Sequence, residues 1–105
     1  MDFSLNTLPS QEIIPGFQGK LVHGEEMSLV FWDVTSGSEV PEHHHKNEQI
    51  MHVIEGRFEF TLNGTTREYG PGDIVLIPAH SPHSGKALTT CKLMDVFSPV
   101  REEYR

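Results

Sequence analysis

His43, His45 and Gln49 stand at odd-numbered positions of the stretch GSEVPEHHHKNEQIMHVIEG, residues 37–56. In an extended chain, side chains two apart point to the same side, so all three can aim at one point. Neutral imidazole is the commonest protein ligand of metals such as Zn, Ni, Cu and Fe, and an amide oxygen can complete such a site. A further donor has to come from elsewhere in the chain. His83, in GPGDIVLIPAHSPH at residues 70–83, is the best candidate. Three neutral imidazoles and an amide leave the charge of a divalent ion uncompensated. Bound oxygens are then strongly polarised, and the pKa of a bound water can drop far below its bulk value, toward about 7 to 9. The expected cofactor is one divalent transition metal, Zn, Ni, Fe, Co, Mn or Cu.

The neighbouring candidates separate by parity. Glu48 would reach the site only if a bulge at Lys46 and Asn47 reversed the alternation, so Gln49 is preferred to it. His44 and His52 have the wrong parity and should point outward, while His23 and His80 have no spacing argument and are expected to be solvated. Asp95 is flanked by Met94 and Val96 in an otherwise apolar run. A buried carboxylate is costly without a partner. It either pairs with a backbone amide or Arg101 to tie down the C-terminus, or serves as a general acid or base in a polar cavity.

These residues need strands to hold them. SLVFWDV, residues 28–34, is rich in β-branched and aromatic residues, and its near-continuous apolarity predicts burial on both faces. In RFEFTLNGTTREY, Phe58, Phe60 and Leu62 alternate with polar residues, and Asn63-Gly64 supplies the positive φ angles of a two-residue hairpin turn. IVLIP, residues 74–78, reads as a short buried strand. In TCKLMDVFSP, Cys91, Leu93, Asp95 and Phe97 alternate with Lys92, Met94 and Val96. Residues 1–14 are assigned to an N-terminal arm and residues 15–105 to a single domain. The tail VREEYR reads as a helical turn or a strand cap. No helix of ordinary length is predicted, and short strands between turn signals indicate an all-β barrel or sandwich.

Composition narrows the functions. A chain of 105 residues can bury one core. The formal net charge of -7 disfavours nucleic acid, which needs clustered Lys and Arg. No stretch approaches the ~20 apolar residues of a membrane span. With a single cysteine and no basic-then-apolar N-terminal run, the expected location is the cytoplasm.

Two motifs resemble those of the cupins. The first is G, five residues, HxH, three or four residues, an acidic or amide residue, six residues, G; Gly37, His43, His45, Gln49 and Gly56 match it. The second is G, five residues, PxG, two residues, H, three residues, N; Gly72, Pro78 and His83 match, whereas His80 replaces glycine and Ala87 replaces asparagine. The resemblance covers about residues 15–105 and implies a double-stranded β-helix, or jelly roll, with its metal inside. The ending KLMDVFSPVREEY is similar to that of a narrower group, the pectin-degradation cupins acting on 4,5-unsaturated uronates. That likeness implies His43, His45, Gln49 and His83 on the metal, with Asp95 and Arg101 as the functional pair. Asp95 would handle the proton and Arg101 the carboxylate of an anionic sugar substrate. The implied reaction converts the unsaturated ring to a linear 5-keto-4-deoxyuronate. The alternatives are a metal-dependent (Fe) dioxygenase and a non-catalytic module binding a sugar or other small molecule. The likeness also suggests a homodimer, for which the apolar 13–22 region and Phe31-Trp32 are candidates; burial within one chain would use them equally well.

Overall fold

Short runs of alternating side chains become ten strands in the computed structural model, which describes residues 1–105. In chain order they are β1 (Gln11–Ile14), β2 (Phe17–His23), β3 (Ser28–Val34), β4 (Glu39–His43), β5 (Glu48–Glu55), β6 (Phe58–Leu62), β7 (Thr65–Tyr69), β8 (Ile74–Ile77), β9 (His83–Ala87) and β10 (Cys91–Ser98). A 3-10 turn, Glu102–Tyr104, follows. The strands form a six-stranded sheet ordered β1-β2-β3-β10-β5-β8 and a four-stranded sheet ordered β4-β9-β6-β7. Every pairing is antiparallel. This is an all-β double-stranded β-helix, or jelly roll. No helix is long and apolar enough to cross a membrane.

Alternation decides what each sheet turns inward. Val30, Trp32 and Val34 of β3, Met51 and Val53 of β5, and Leu93 and Phe97 of β10 join Phe58, Phe60 and Ala87 of the other sheet in one core. The β6–β7 hairpin turns at Asn63 and Gly64, with φ of 49° and 82°, and pairs Leu62 with Thr65. Both residues take the left-handed conformation that a tight hairpin requires and that Asn and Gly tolerate best. Gly19 opposes Trp32 across β2 and β3, where an added Cβ would sit 2.8 Å from the indole ring. Only glycine leaves room for that ring.

Two expectations differ from what forms. The IVLIP strand is not buried throughout: Val75 and Ile77 face the core, but Ile74 is 65% and Leu76 56% exposed. β8 edges the large sheet, whose outer face is uncovered, so only its inward residues meet the core. For the same reason β3 is not buried on both faces; Leu29 and Phe31 are half-buried and Asp33 is exposed. The last four residues of the 1–14 arm form β1 on the opposite edge. Ile13, Ile14, Leu21 and Trp32 are spent on the chain's own core. The exposed apolar residues lie instead on β5 and β8, where Ile50 pairs with Leu76, and His52, between Ile50 and the exposed Ile54, pairs with Ile74.

Candidate metal centre

The two sheets meet at the histidines. His43 ends β4 and His83 begins β9, and the two are directly paired, with ring centroids 4.2 Å apart. His45 lies in the connection to β5, its ring 4.9 Å from that of His83 and 5.5 Å from that of His43. One nitrogen from each converges, all within 4.8 Å of one another. Gln49 arrives from β5 in the opposite sheet and sets its Oε1 3.2 Å from His45 Nε2. The alternation runs unbroken from the loop into the strand: His45, Asn47, Gln49 and Met51 are buried, while His44, Lys46, Glu48 and Ile50 are exposed. Glu48 and His44 therefore point away from the site. His80, exposed as expected, takes φ of 63°, so the histidine occupies the left-handed conformation that the motif glycine would supply. Its backbone N–H donates to the His45 carbonyl at 2.7 Å, holding the ligand loop. His23 is not freely solvated; it is half-buried and its Nδ1 lies 2.8 Å from Ser28 Oγ.

The surroundings of the imidazoles fit a cation. Nδ1 of His43 faces the Pro41 carbonyl at 3.0 Å, Nδ1 of His45 the Asn47 carbonyl at 3.0 Å, and Nδ1 of His83 the Ser81 carbonyl at 2.8 Å. A carbonyl only accepts, so each Nδ1 carries the proton and each Nε2 is left with its lone pair. A ligating histidine is oriented this way by an outer partner. Burial is the main cause lowering the pKa of His83 to about 4 and also lowers that of His45, so both are neutral near pH 7. His83 Nε2 is buried and has no hydrogen-bond partner. His45 Nε2 and Gln49 Oε1 are two acceptors facing each other at 3.2 Å. A cation between them turns that contact attractive, and two donors on one ion at ~2.1 Å lie about 3.0–3.4 Å apart. Turning the Gln49 amide over would relieve the contact but aim its oxygen at Asp95, whose pKa Gln49 helps hold down.

Asp95 sits on β10 beside this cluster, 7% exposed. Its Oδ2 accepts a 2.9 Å hydrogen bond from Trp32 Nε1, while Oδ1 is buried without a bond of normal geometry. Burial raises its pKa to about 6 against the opposing effects of Gln49, Trp32 and Arg101. Arg101 is 8% exposed and pairs with Glu103 rather than with Asp95. Its guanidinium lies 4.8 Å from the Tyr104 ring centroid and 5.6 Å from that of Phe97. Trp32 and Asn47 were not assigned to the site in the sequence; Trp32 was a candidate only for a dimer face. Trp32 was legible: a buried indole seeks an acceptor, and Asp95 is a carboxylate on the inward face of a neighbouring strand. Asn47 donates from Nδ2 to the Pro99 carbonyl at 2.6 Å and the Val100 carbonyl at 3.2 Å, tying the ligand loop to the C-terminal segment. No spacing signal marks that link.

A cavity of about 60 Å³ lies between the sheets, lined by His43, Gln49, His83, Asp95 and Tyr104 among others. Most of its wall is apolar, including Phe58, Phe60, Leu93 and Phe97. The arrangement combines three imidazoles that could hold a divalent ion, a carboxylate with one free oxygen and a buried cation. Such a set can orient oxygen atoms of a small molecule and move a proton next to them.

Residues 30–97 match the cupin domain family. The structure of KdgF from Halomonas sp. superposes with a TM-score of 0.93 at 30% identity, covering 100% of this chain and 98% of that one. An RmlC-like cupin from Shewanella frigidimarina superposes with a TM-score of 0.94 at 27% identity, covering 100% and 96%. A curated relative, H2HPP isomerase of Bacillus subtilis, is 23% identical over 103 residues, which is 95% of this chain but 44% of that protein. The family match over β3 to β10, the jelly roll and the inward histidines agree: the chain belongs to the cupins.

Proposed function

We propose that this cupin converts 4,5-unsaturated uronate monosaccharides to the linear 5-keto-4-deoxyuronate. The observation that carries the reading is Asp95, a buried carboxylate fixed through one oxygen by Trp32, with the other free beside Gln49 and the histidines. The full-length match to KdgF and the likeness of the C-terminal stretch to pectin-degradation cupins support it.

In this reading His43, His45, His83 and Gln49 hold the ion. When bound, the metal would supply positive charge that orients the sugar oxygens. Asp95 delivers a proton to C4 of the enol ether and takes one back from the water that adds at C5. The resulting hemiketal opens by breaking its C5 bond to the ring oxygen, leaving a ketone at C5. The C1 hydrate then loses water, so the net change is an isomerisation. Arg101 binds the carboxylate through the planar fork that only a guanidinium provides.

The test is the ultraviolet absorbance of the enol ether conjugated with the carboxylate, followed with metal-loaded protein. Decay is expected with the wild type and not with Asp95→Ala, at unchanged metal content. Equal rates for the two proteins would overturn the assignment. Oxygen consumption would identify a dioxygenase instead, and tight binding without decay a binding module. The homodimer proposed with this reading would use the face carrying Ile50, Ile54, Ile74 and Leu76. Sedimentation of Leu76→Lys against the wild type tests it: a smaller species is expected, and an unchanged one removes that face from consideration.

A further inference from the structure

Arg101 is already engaged. Its Nη1 donates to Glu103 Oε2, two residues on, while its Nε is buried with no partner. The two ends of that ion pair differ: the Arg101 side chain is 9% exposed and the Glu103 side chain 62%. One is fixed between Phe97 and Tyr104; the other reaches in from solvent.

The cavity beside it is too small for a sugar. Pockets that take small ligands run to about 300–1,000 Å³, and this one is about 60 Å³. Most of the wall is strand, locked in two hydrogen-bonded sheets. Tyr104 is the exception. Its ring lines the cavity edge-on to Trp32 and Phe97, both 5.8 Å away, yet it hangs from a three-residue turn that belongs to neither sheet. That turn is closed by two backbone bonds, Tyr104 to Arg101 at 3.0 Å and Arg105 to Glu102 at 3.1 Å. A short turn outside both sheets, closed by two bonds, opens at lower cost than sheet interiors.

We propose that Glu103 is a built-in stand-in for a ligand carboxylate: it holds Arg101 in the closed state, and an anionic ligand enters by displacing Glu103 and, with it, Tyr104 from the barrel mouth. The inference rests on the reading of Arg101 as the residue that binds the substrate carboxylate. Exchanging one carboxylate for another keeps the buried guanidinium paired throughout, and an unpaired buried charge is strongly unfavourable. A neutral sugar offers no exchange. Displacing Glu103 for it would strand Arg101, so the contact selects for anions as well as closing the site.

The experiment titrates galacturonate, acetate and galactose into metal-loaded full-length wild type and Glu103→Gln by calorimetry. Fluorescence of Trp32, the single tryptophan, is recorded alongside to report the departure of Tyr104. A half-exposed ion pair competes weakly, so Glu103→Gln should bind both carboxylates about two- to fivefold more tightly, with galactose still the weaker ligand of both proteins. Trp32 emission should change with galacturonate in both proteins. Equal or weaker carboxylate binding by Glu103→Gln overturns the proposal, as does an absence of carboxylate binding in both. Tighter carboxylate binding without consumption of an unsaturated uronate leaves the proposal standing and removes the proposed reaction instead.

Discussion

Replacing Trp32 by Phe removes the one hydrogen bond that Asp95 accepts with normal geometry. Asp95 Oδ2 loses its donor at 2.9 Å, and Oδ1 has none to spare. Leaving a buried charged group without its partner costs ~1.5–3 kcal/mol. The smaller ring also weakens edge contacts with Phe17, 5.9 Å away, and Tyr104, 5.8 Å away; such contacts contribute about 0.5–1.5 kcal/mol each. The hollow over Gly19 adds to the loss, because that glycine exists to admit the indole. Together these give a destabilisation of ~3–5 kcal/mol, a large part of the 5–15 kcal/mol typical of a domain. The assay is urea unfolding of the metal-free protein followed by far-ultraviolet circular dichroism. Asp95→Leu and the double variant complete the cycle. Removing both partners spares the unsatisfied group, so the double variant should be about 2 kcal/mol more stable than the sum of the single changes implies. A Trp32→Phe loss under about 1 kcal/mol, or strict additivity, would refute the reasoning.

Three further outcomes follow from individual contacts. Asp95 has a folded pKa raised to about 6 from 3.8, so it adds stability as pH falls through that window; His83, lowered to about 4 from 6.5, removes stability over nearly the same window. Asp95→Asn abolishes only the first effect, so its metal-free stability should fall more steeply than the wild type's between about pH 7 and about pH 4.5 in urea titrations, and parallel curves would contradict this. His80→Val places a β-branched residue at φ of 63° and should cost ~1–2 kcal/mol in thermal unfolding, whereas His80→Gly should be tolerated. Asn47→Ala removes two bonds to the C-terminal segment and should speed hydrogen exchange at Val100 and Arg101, with a stability loss of ~1–3 kcal/mol.

Much of this architecture is written locally. Period-two alternation through residues 45–51 and 91–97 turns Gln49 and Asp95 inward, and Asn63-Gly64 fixes the β6–β7 hairpin, because both signals act over a few residues. The two motifs of the cupin resemblance placed His83 near His43, and the register supplies the cause: the two are opposite one another on β4 and β9. Where the reading of IVLIP and SLVFWDV differed, the missing information was which sheet face meets solvent. A run of apolar residues does not carry it, since Ile74 and Leu76 are as apolar as Val75 and Ile77. The partners of Asp95 and Arg101 were likewise nonlocal in part. Trp32 lies 63 residues from Asp95, whereas Glu103 lies two from Arg101 and was passed over because nothing in the spacing shows that the pair is half in solvent.

The central claim is that one cation sits between the two sheets on nitrogen atoms from β4, the following loop and β9. Anomalous diffraction at the absorption edge of an added metal, such as Zn or Ni, tests it directly in crystals of the wild type. The account predicts a single strong peak per chain at ~2.0–2.1 Å from the Nε2 atoms of His43, His45 and His83. A peak confined to surface histidines such as His44, or none between the three rings at saturating metal, would contradict it.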